Sequence, residues 1–370
     1  MKKSYILIAL ALLLMIACVA TMLLNNPGLA NALVNREKIQ STKYEGAVSE
    51  YTWSEDLPYR LEDHAVIQKD PDKDFVVMNV ADIHLSDYTQ DAVTNIRNFD
   101  NIRRMAQELQ PDLIILSGDN VWGQMKEGST YYSIHRLTEF MDSLGIPWAP
   151  IFGNHDAEGN CDANYLAEVM MAGEYCVMQK GDSAMGVGNY IVNICEGEKI
   201  VHSIILFDSH GNGIITQEQQ AWYAWAVEGI QSIAGESVTS SIVMHIPIAQ
   251  FDYAYDAAWD GEDWKDGYEA FGFKREDFAG ATDENDEPID SGFFAVVKDL
   301  NSTTNIISGH DHANCYSVVY EGVRLTYALR LGYGAYFESD QQGITTLTIN
   351  KDGSGTVEHH YLYPYDVKNP

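Results

Sequence analysis

The sequence predicts an α/β protein, with a parallel sheet built by alternating strands and helices and a second sheet beside it. Three observations carry this expectation. The aliphatic runs Val76-Val77-Met78-Asn79-Val80, Leu113-Ile114-Ile115-Leu116 and Trp148-Ala149-Pro150-Ile151-Phe152 are separated by two segments whose apolar residues recur at helical spacing. These runs, and two more further along, stop abruptly at Asp, Asn or His, three of them beside glycine, which places costly polar groups at one edge of a core. Finally, 46% apolar residues and 11% aromatics in 370 residues suffice for a large core and exclude a mainly disordered chain.

Lys2 and Lys3 precede an almost unbroken apolar run from Tyr5 to Leu24, the charge-then-hydrophobe order of a secretory segment. The run approaches the roughly 20 residues that span a bilayer. Residues 1–32 therefore read as a signal peptide cleaved near Ala30-Asn31-Ala32, or as an N-terminal membrane anchor formed by residues 5–24. Both readings place the bulk of the chain outside the cytoplasm, secreted or held at the membrane by that segment alone. Residues 33–73 read as a polar stalk ending in an edge hairpin around Ala65-Val66-Ile67-Gln68, and 74–370 as the main domain.

Within that domain, Ile96, Phe99, Ile102, Met105, Ala106 and Leu109 mark a helix stopped by Pro111, and Ile134, Leu137, Phe140, Met141 and Leu144 mark another ended by Gly145 and Pro147. The resulting order implies right-handed βαβ units, in which ligands gather beyond the carboxyl ends of the strands. Asp162 to Glu174 reads as a helix, Tyr190 to Ile194 with Val201 to Phe207 as a hairpin-like pair, and Thr216 with Gln219 as a capping box ahead of Trp222, Trp225 and Ala226. Ser241-Ile242-Val243-Met244 then leads into His245, and Thr304-Asn305-Ile306-Ile307 into Gly309-His310-Asp311-His312. Between them, 252–290 is an acidic, aperiodic insertion that reads as a solvated lid loop in preference to a calcium site. Ser317 to Tyr320, Arg324 to Leu329 and Thr345 to Ile349 close the fold as strands. Cys161, Cys176, Cys195 and Cys315 have no CxxC spacing, which argues against a cysteine zinc site and leaves buried thiols or disulfides, with Cys161 to Cys176 the shortest loop.

Charge and donors narrow the function. A net charge of −31 repels nucleic-acid backbones, so no binding to them is expected. A lone strand-end histidine usually bonds to backbone, but five such strand ends in one chain point to metal ligation. Asp, His and Asn supply the donors that suit Mn, Fe or Zn. Two metals roughly 3.5–4 Å apart need a bridging ligand, and the Asp119 carboxylate is the natural one.

Asp82-x-His84, Gly118-Asp119, Gly153-Asn154-His155-Asp156, His245 and Gly309-His310-x-His312, in this order and spacing, resemble the calcineurin-like metallophosphoesterases over about 74–336. Gly118-Asp119-Asn120, Pro147-Trp148-Ala149, Ser291-Gly292-Phe293-Phe294 and Gly309-His310-Asp311-His312 are most similar to the purple acid phosphatase-like branch. The resemblance implies a two-sheet β-sandwich flanked by helices, in αββα layers. It also implies two divalent or mixed-valence ions (Mn, Fe or Zn), one held by Asp82, His84, Asp119 and His312, the other by Asp119, Asn154, His245 and His310. His155 is then the catalytic residue facing the substrate, oriented by Asp156.

The implied function is an extracytoplasmic dinuclear phosphoesterase, foremost a phosphomonoesterase, that hydrolyses small phosphate esters by attack of a metal-bound hydroxide. The alternatives are a phosphodiesterase acting on nucleotides or lipid head groups, and a non-catalytic surface binding module with a structural metal site. One departure matters: the purple enzymes place a tyrosine three residues after the bridging aspartate, and here Trp122 stands there. Indole supplies no phenolate, so no tyrosinate-to-iron colour is expected. His210, Tyr333 and Tyr336 are further candidates to line the pocket.

Overall fold

The computed structural model describes residues 53–123 and 129–362. The leader, residues 1–32, and the stalk as far as residue 52 lie outside them.

β2 (Phe75–Val80), β3 (Leu113–Ser117) and β4 (Trp148–Ile151) are buried at almost every position, as aliphatic strands covered on both faces must be. They pair in parallel, joined by the predicted crossover helices α1 (Ala92–Leu109) and α2 (Tyr131–Asp142). β12 (Gly343–Ile349) adds antiparallel to β2, and β13 (Gly355–Tyr361) antiparallel to β12, giving the order β13-β12-β2-β3-β4. β13 goes unpredicted because Val357 is its one fully buried residue, which leaves almost no apolar pattern to read.

The second sheet contains β1 (Ala65–Gln68), β5 (Tyr190–Glu196), β6 (Lys199–Leu206), β7 (Thr239–Met244), β8 (Ala270–Phe271), β9 (Thr303–Ser308), β10 (Ser317–Tyr320) and β11 (Val323–Tyr327). Its order is β1-β5-β6-β7-β9-β11-β10-β8, with β6, β7, β9 and β11 parallel to one another. β5 and β6 form the expected hairpin. β1 is an edge strand but no arm of a hairpin: it pairs in parallel with β5, Ala65 opposite Val192, and a half-buried ion pair of 2.6 Å between Lys69 and Glu196 fixes that edge.

Four more helices complete the layers: α3 (Ala163–Met171), α4 (Gln217–Ala234), α5 (Gln250–Ala258) and α6 (Phe293–Leu300). α1 packs on β2 and α3 on α2, while α4, α5 and α6 cover the larger sheet. The architecture is thus two mixed sheets flanked by helices. α4 opens with the capping box of Thr216 and Gln219 and closes on Gly235 in the left-handed region. Under it, the Phe207 ring stands 5.3 Å from Trp222 and 5.2 Å from Phe293, an edge-on aromatic cluster at the centre of the core. Between the sheets, the Tyr190 hydroxyl on β5 donates to the Pro150 carbonyl on β4 at 2.8 Å.

The acidic insertion departs from its expected aperiodic form. α5 occupies its start, with Phe251 and Ala254 buried, and β8 adds to β10. Helical burial was hidden by the charged residues that share this stretch. The four cysteines from Cys161 onward are buried and free. Among the described residues no helix is long and apolar enough to cross a membrane, and the apolar run 5–24 lies outside them.

Candidate metal centre

Five strands from both sheets end at one place. Asp82 and His84 follow β2, Asp119 follows β3, Gly153 to Asp156 follow β4, His245 follows β7, and His310 and His312 follow β9. The chain turns sharply there: Asp82, His84, Asp119 and His310 all adopt positive φ, at 56°, 51°, 50° and 75°. Such conformations cost free energy and persist where the surroundings impose them, commonly at functional sites. Two glycines make the close approach feasible. A Cβ on Gly118 would lie 2.4 Å from His245 Nδ1, and one on Gly153 would lie 2.2 Å from Asp119 Oδ1.

The donor atoms of Asp82, His84, Asp119 and His312 all lie within 4.8 Å of one another, as do those of Asp119, His245 and His310. Asp119 belongs to both groups. His84 Nε2 is 3.2 Å from His312 Nε2 and 3.4 Å from Asp119 Oδ2, and His245 Nε2 is 3.3 Å from the same oxygen. Asp119 Oδ2, His245 Nε2 and Asn154 Oδ1 are buried without a hydrogen-bond partner. Buried polar atoms are normally paired, so a convergent set of orphans fits a cation held among them. The backs of the rings are fixed: His245 Nδ1 donates to the Ser117 carbonyl at 2.9 Å and His310 Nε2 to Ala279 O at 3.1 Å, while His312 Nδ1 lies 3.1 Å from Tyr336 O and against the Arg330 guanidinium. This is how metal-binding imidazoles are oriented.

Electrostatics agree with the donor chemistry. Burial would raise Asp82, but the hydrogen bond from His312 brings it down to about 2. Burial would likewise raise Asp119, yet the charge of His245 holds it well below the carboxylate range. His84 is pushed down to about 3 and His310 to about 4 by burial, which leaves both rings neutral. For His245 the balance reverses, and Asp119 outweighs burial to lift it to about 10.

His155 reaches the same spot: its N–H donates to Asp119 Oδ1 at 2.9 Å, and its ring stands 5.4 Å from that of His84. Asp156 does not orient it. One Asp156 oxygen accepts from the Gly153 N–H at 2.7 Å and the other from the Val121 N–H at 2.9 Å, so this carboxylate ties the loop down from beneath. The partner of His155 is Glu158, with Oε2 2.8 Å from Nδ1. Glu158 escapes a sequence reading, and its one signal is the i, i+3 spacing from the histidine.

Around the donors, Trp122 stands edge-on to His84 at 5.9 Å, and the Tyr336 ring lies 4.4 Å from His312. The Tyr336 hydroxyl donates to Glu276 of the acidic insertion at 2.8 Å, and Arg275 beside it binds Asp340 through two contacts of 2.8 Å. Tyr333 instead turns to Asn101 on α1, and His210 to Gln219 at the start of α4.

The family described as Calcineurin-like phosphoesterase matches over residues 75–314. The Arabidopsis thaliana protein named "Probable inactive purple acid phosphatase 14" is 26% identical over 266 residues, covering 63% of this chain and 61% of that protein. Its namesake 28, from the same plant, is 25% identical over 326 residues, covering 76% and 75%. Among solved structures, a dimetal phosphatase from Danio rerio aligns with a TM-score of 0.46 at 12% identity, covering 74% of this chain and 95% of that one.

Proposed function

Because the chain belongs to the calcineurin-like phosphoesterase family, we propose that it hydrolyses small phosphate monoesters with a dinuclear metal centre. The observation that carries this reading is the pair of buried donor groups sharing Asp119. One ion would be held by Asp82, His84, Asp119 and His312, and the other by Asp119, Asn154, His245 and His310. Bound there, manganese, iron or zinc ions would polarise the phosphoryl group and acidify a water.

The chain's own residues do the rest. Asp82 and Asp119 enter as anions, and His84 and His310 enter as neutral rings with lone pairs. His155, partly open to solvent, faces the ester and delivers a proton to the departing oxygen. The plant relatives carry the word inactive in their names. In this chain the complete donor set, with an accessible His155 beside it, supports turnover. Action outside the cytoplasm rests on Lys2, Lys3 and the apolar run after them.

The test is hydrolysis of p-nitrophenyl phosphate and its bis-ester by metal-stripped protein reloaded with Mn, Zn or Fe. Metal-restored cleavage of the monoester is expected, and Asp119→Ala should lose turnover and bound metal together. Retained turnover in that variant would sink the assignment. Faster cleavage of the bis-ester would move the reading to diesters, and two bound ions with neither ester cleaved would leave a structural metal site.

A further inference from the structure

We propose that Glu158 is the positioning residue of the reaction, holding His155 by Nδ1 so that Nε2 faces the dinuclear centre; this rests on the phosphoesterase reading above. His155 Nδ1 lies 2.8 Å from Glu158 Oε2. The turn favours this contact, since the Glu158 N–H bonds back to the His155 carbonyl at 3.3 Å. The His155 backbone is itself tied to Asp119 Oδ1 at 2.9 Å. The residue is thus held at its backbone amide by the shared aspartate and at its ring Nδ1 by Glu158. Asp156, the neighbouring carboxylate, is occupied by Gly153 and Val121.

A carboxylate accepts only, so it fixes Nδ1 as a donor, and the imidazolium form of the ring presents its second proton, on Nε2, to the ester. In the step that follows, the oxygen of water bonds to phosphorus while the bond to the ester oxygen breaks. That oxygen takes the bonding electron pair together with the proton from Nε2. Loss of the proton leaves the ring neutral, still donating from Nδ1 to Glu158. A partly exposed pair of this kind contributes little to stability. Its removal should therefore register in the reaction and leave the fold intact.

The experiment compares Glu158→Ala and Glu158→Gln with wild type, all zinc-loaded, on phenyl phosphate and 2,4-dinitrophenyl phosphate. Phenolate needs a proton to depart, and dinitrophenolate does not. For E158A, kcat on phenyl phosphate is expected to fall by about 10- to 100-fold. KM, bound zinc and kcat on the dinitrophenyl ester should change less than about threefold. E158Q, whose amide oxygen still accepts from Nδ1, should recover part of the loss. Equal loss on both esters, loss of zinc, or no loss at all would overturn the role. Long-range 1H–15N spectra of His155 in metal-free protein give a readout independent of turnover. In the neutral ring, the Nδ1-protonated tautomer is expected in wild type and a mixture in E158A, and the same tautomer in both would overturn the positioning. If wild type cleaves neither ester, the phosphoesterase reading fails, while the spectra still decide whether Glu158 orients His155.

Discussion

In the metal-free centre, His245 keeps its proton because Asp119 outweighs the burial that would strip it, raising its pKa to about 10. An arriving ion must displace that proton. Metal uptake is therefore expected to release a proton and to weaken as pH falls, on the order of tenfold per pH unit for each proton displaced. Calorimetric titration with Zn at pH 7 and 8, in buffers of different ionisation enthalpy, measures both quantities. An affinity independent of pH would contradict the Asp119–His245 pairing. The donors themselves are legible in the sequence, because Asp, Asn and His at the ends of aliphatic strands have few other reasons to be there. The pairing of His155 with Glu158 is not legible. Neighbouring residues in a turn point in directions set by local φ and ψ, and sequence order offers Asp156 first.

Among the elements, α4 is the clearest case of local chemistry deciding structure. Thr216 Oγ1 accepts from the Gln219 N–H at 3.3 Å, and Gln219 Oε1 accepts from the Thr216 N–H at 2.9 Å, two otherwise orphaned donors satisfied reciprocally. Thr216→Ala is expected to cost about 1 kcal/mol, read as a lower urea midpoint with unchanged slope. Such features are legible because they lie within one helical turn. β1 shows the opposite limit. Ala65 pairs with Val192 of β5, 127 positions later, and nothing within Ala65–Gln68 names that partner or a parallel direction. α5 likewise emerges from an acidic stretch because Phe251 and Ala254 find a core that only the assembled fold supplies.

At the scale of the molecule, several histidines are buried neutral. Burial lowers His202 to about 3, and His64 and His359 to about 4. Below about 6.5 the unfolded chain binds protons that the native state refuses. Each of these groups thus contributes stability that is present near neutrality and lost as pH falls toward its native value, at up to about 1.4 kcal/mol per unit. Burial acts oppositely on Asp156 and Asp311, raised to about 7, whose native states gain protons earlier than the unfolded chain and so favour the acid side. The histidines are more numerous. Urea midpoints of metal-free protein are expected to fall from pH 6.5 to pH 4, with a shallower slope in His202→Asn, where the group held between Thr239 and Ser241 no longer titrates.

The convergence of both sheets on one centre also orders events in time. His84 and His312, whose ring nitrogens meet at 3.2 Å, are 228 positions apart in the chain. As the chain emerges during synthesis, β2, β3 and β4 present Asp82, His84, Asp119 and Asn154 long before His245, His310 and His312 exist. Contacts of such separation form late, after the loop between them has closed. Metal capture by the full donor set is therefore expected to follow the docking of the two sheets, so that a tightly held ion would certify a molecule already assembled.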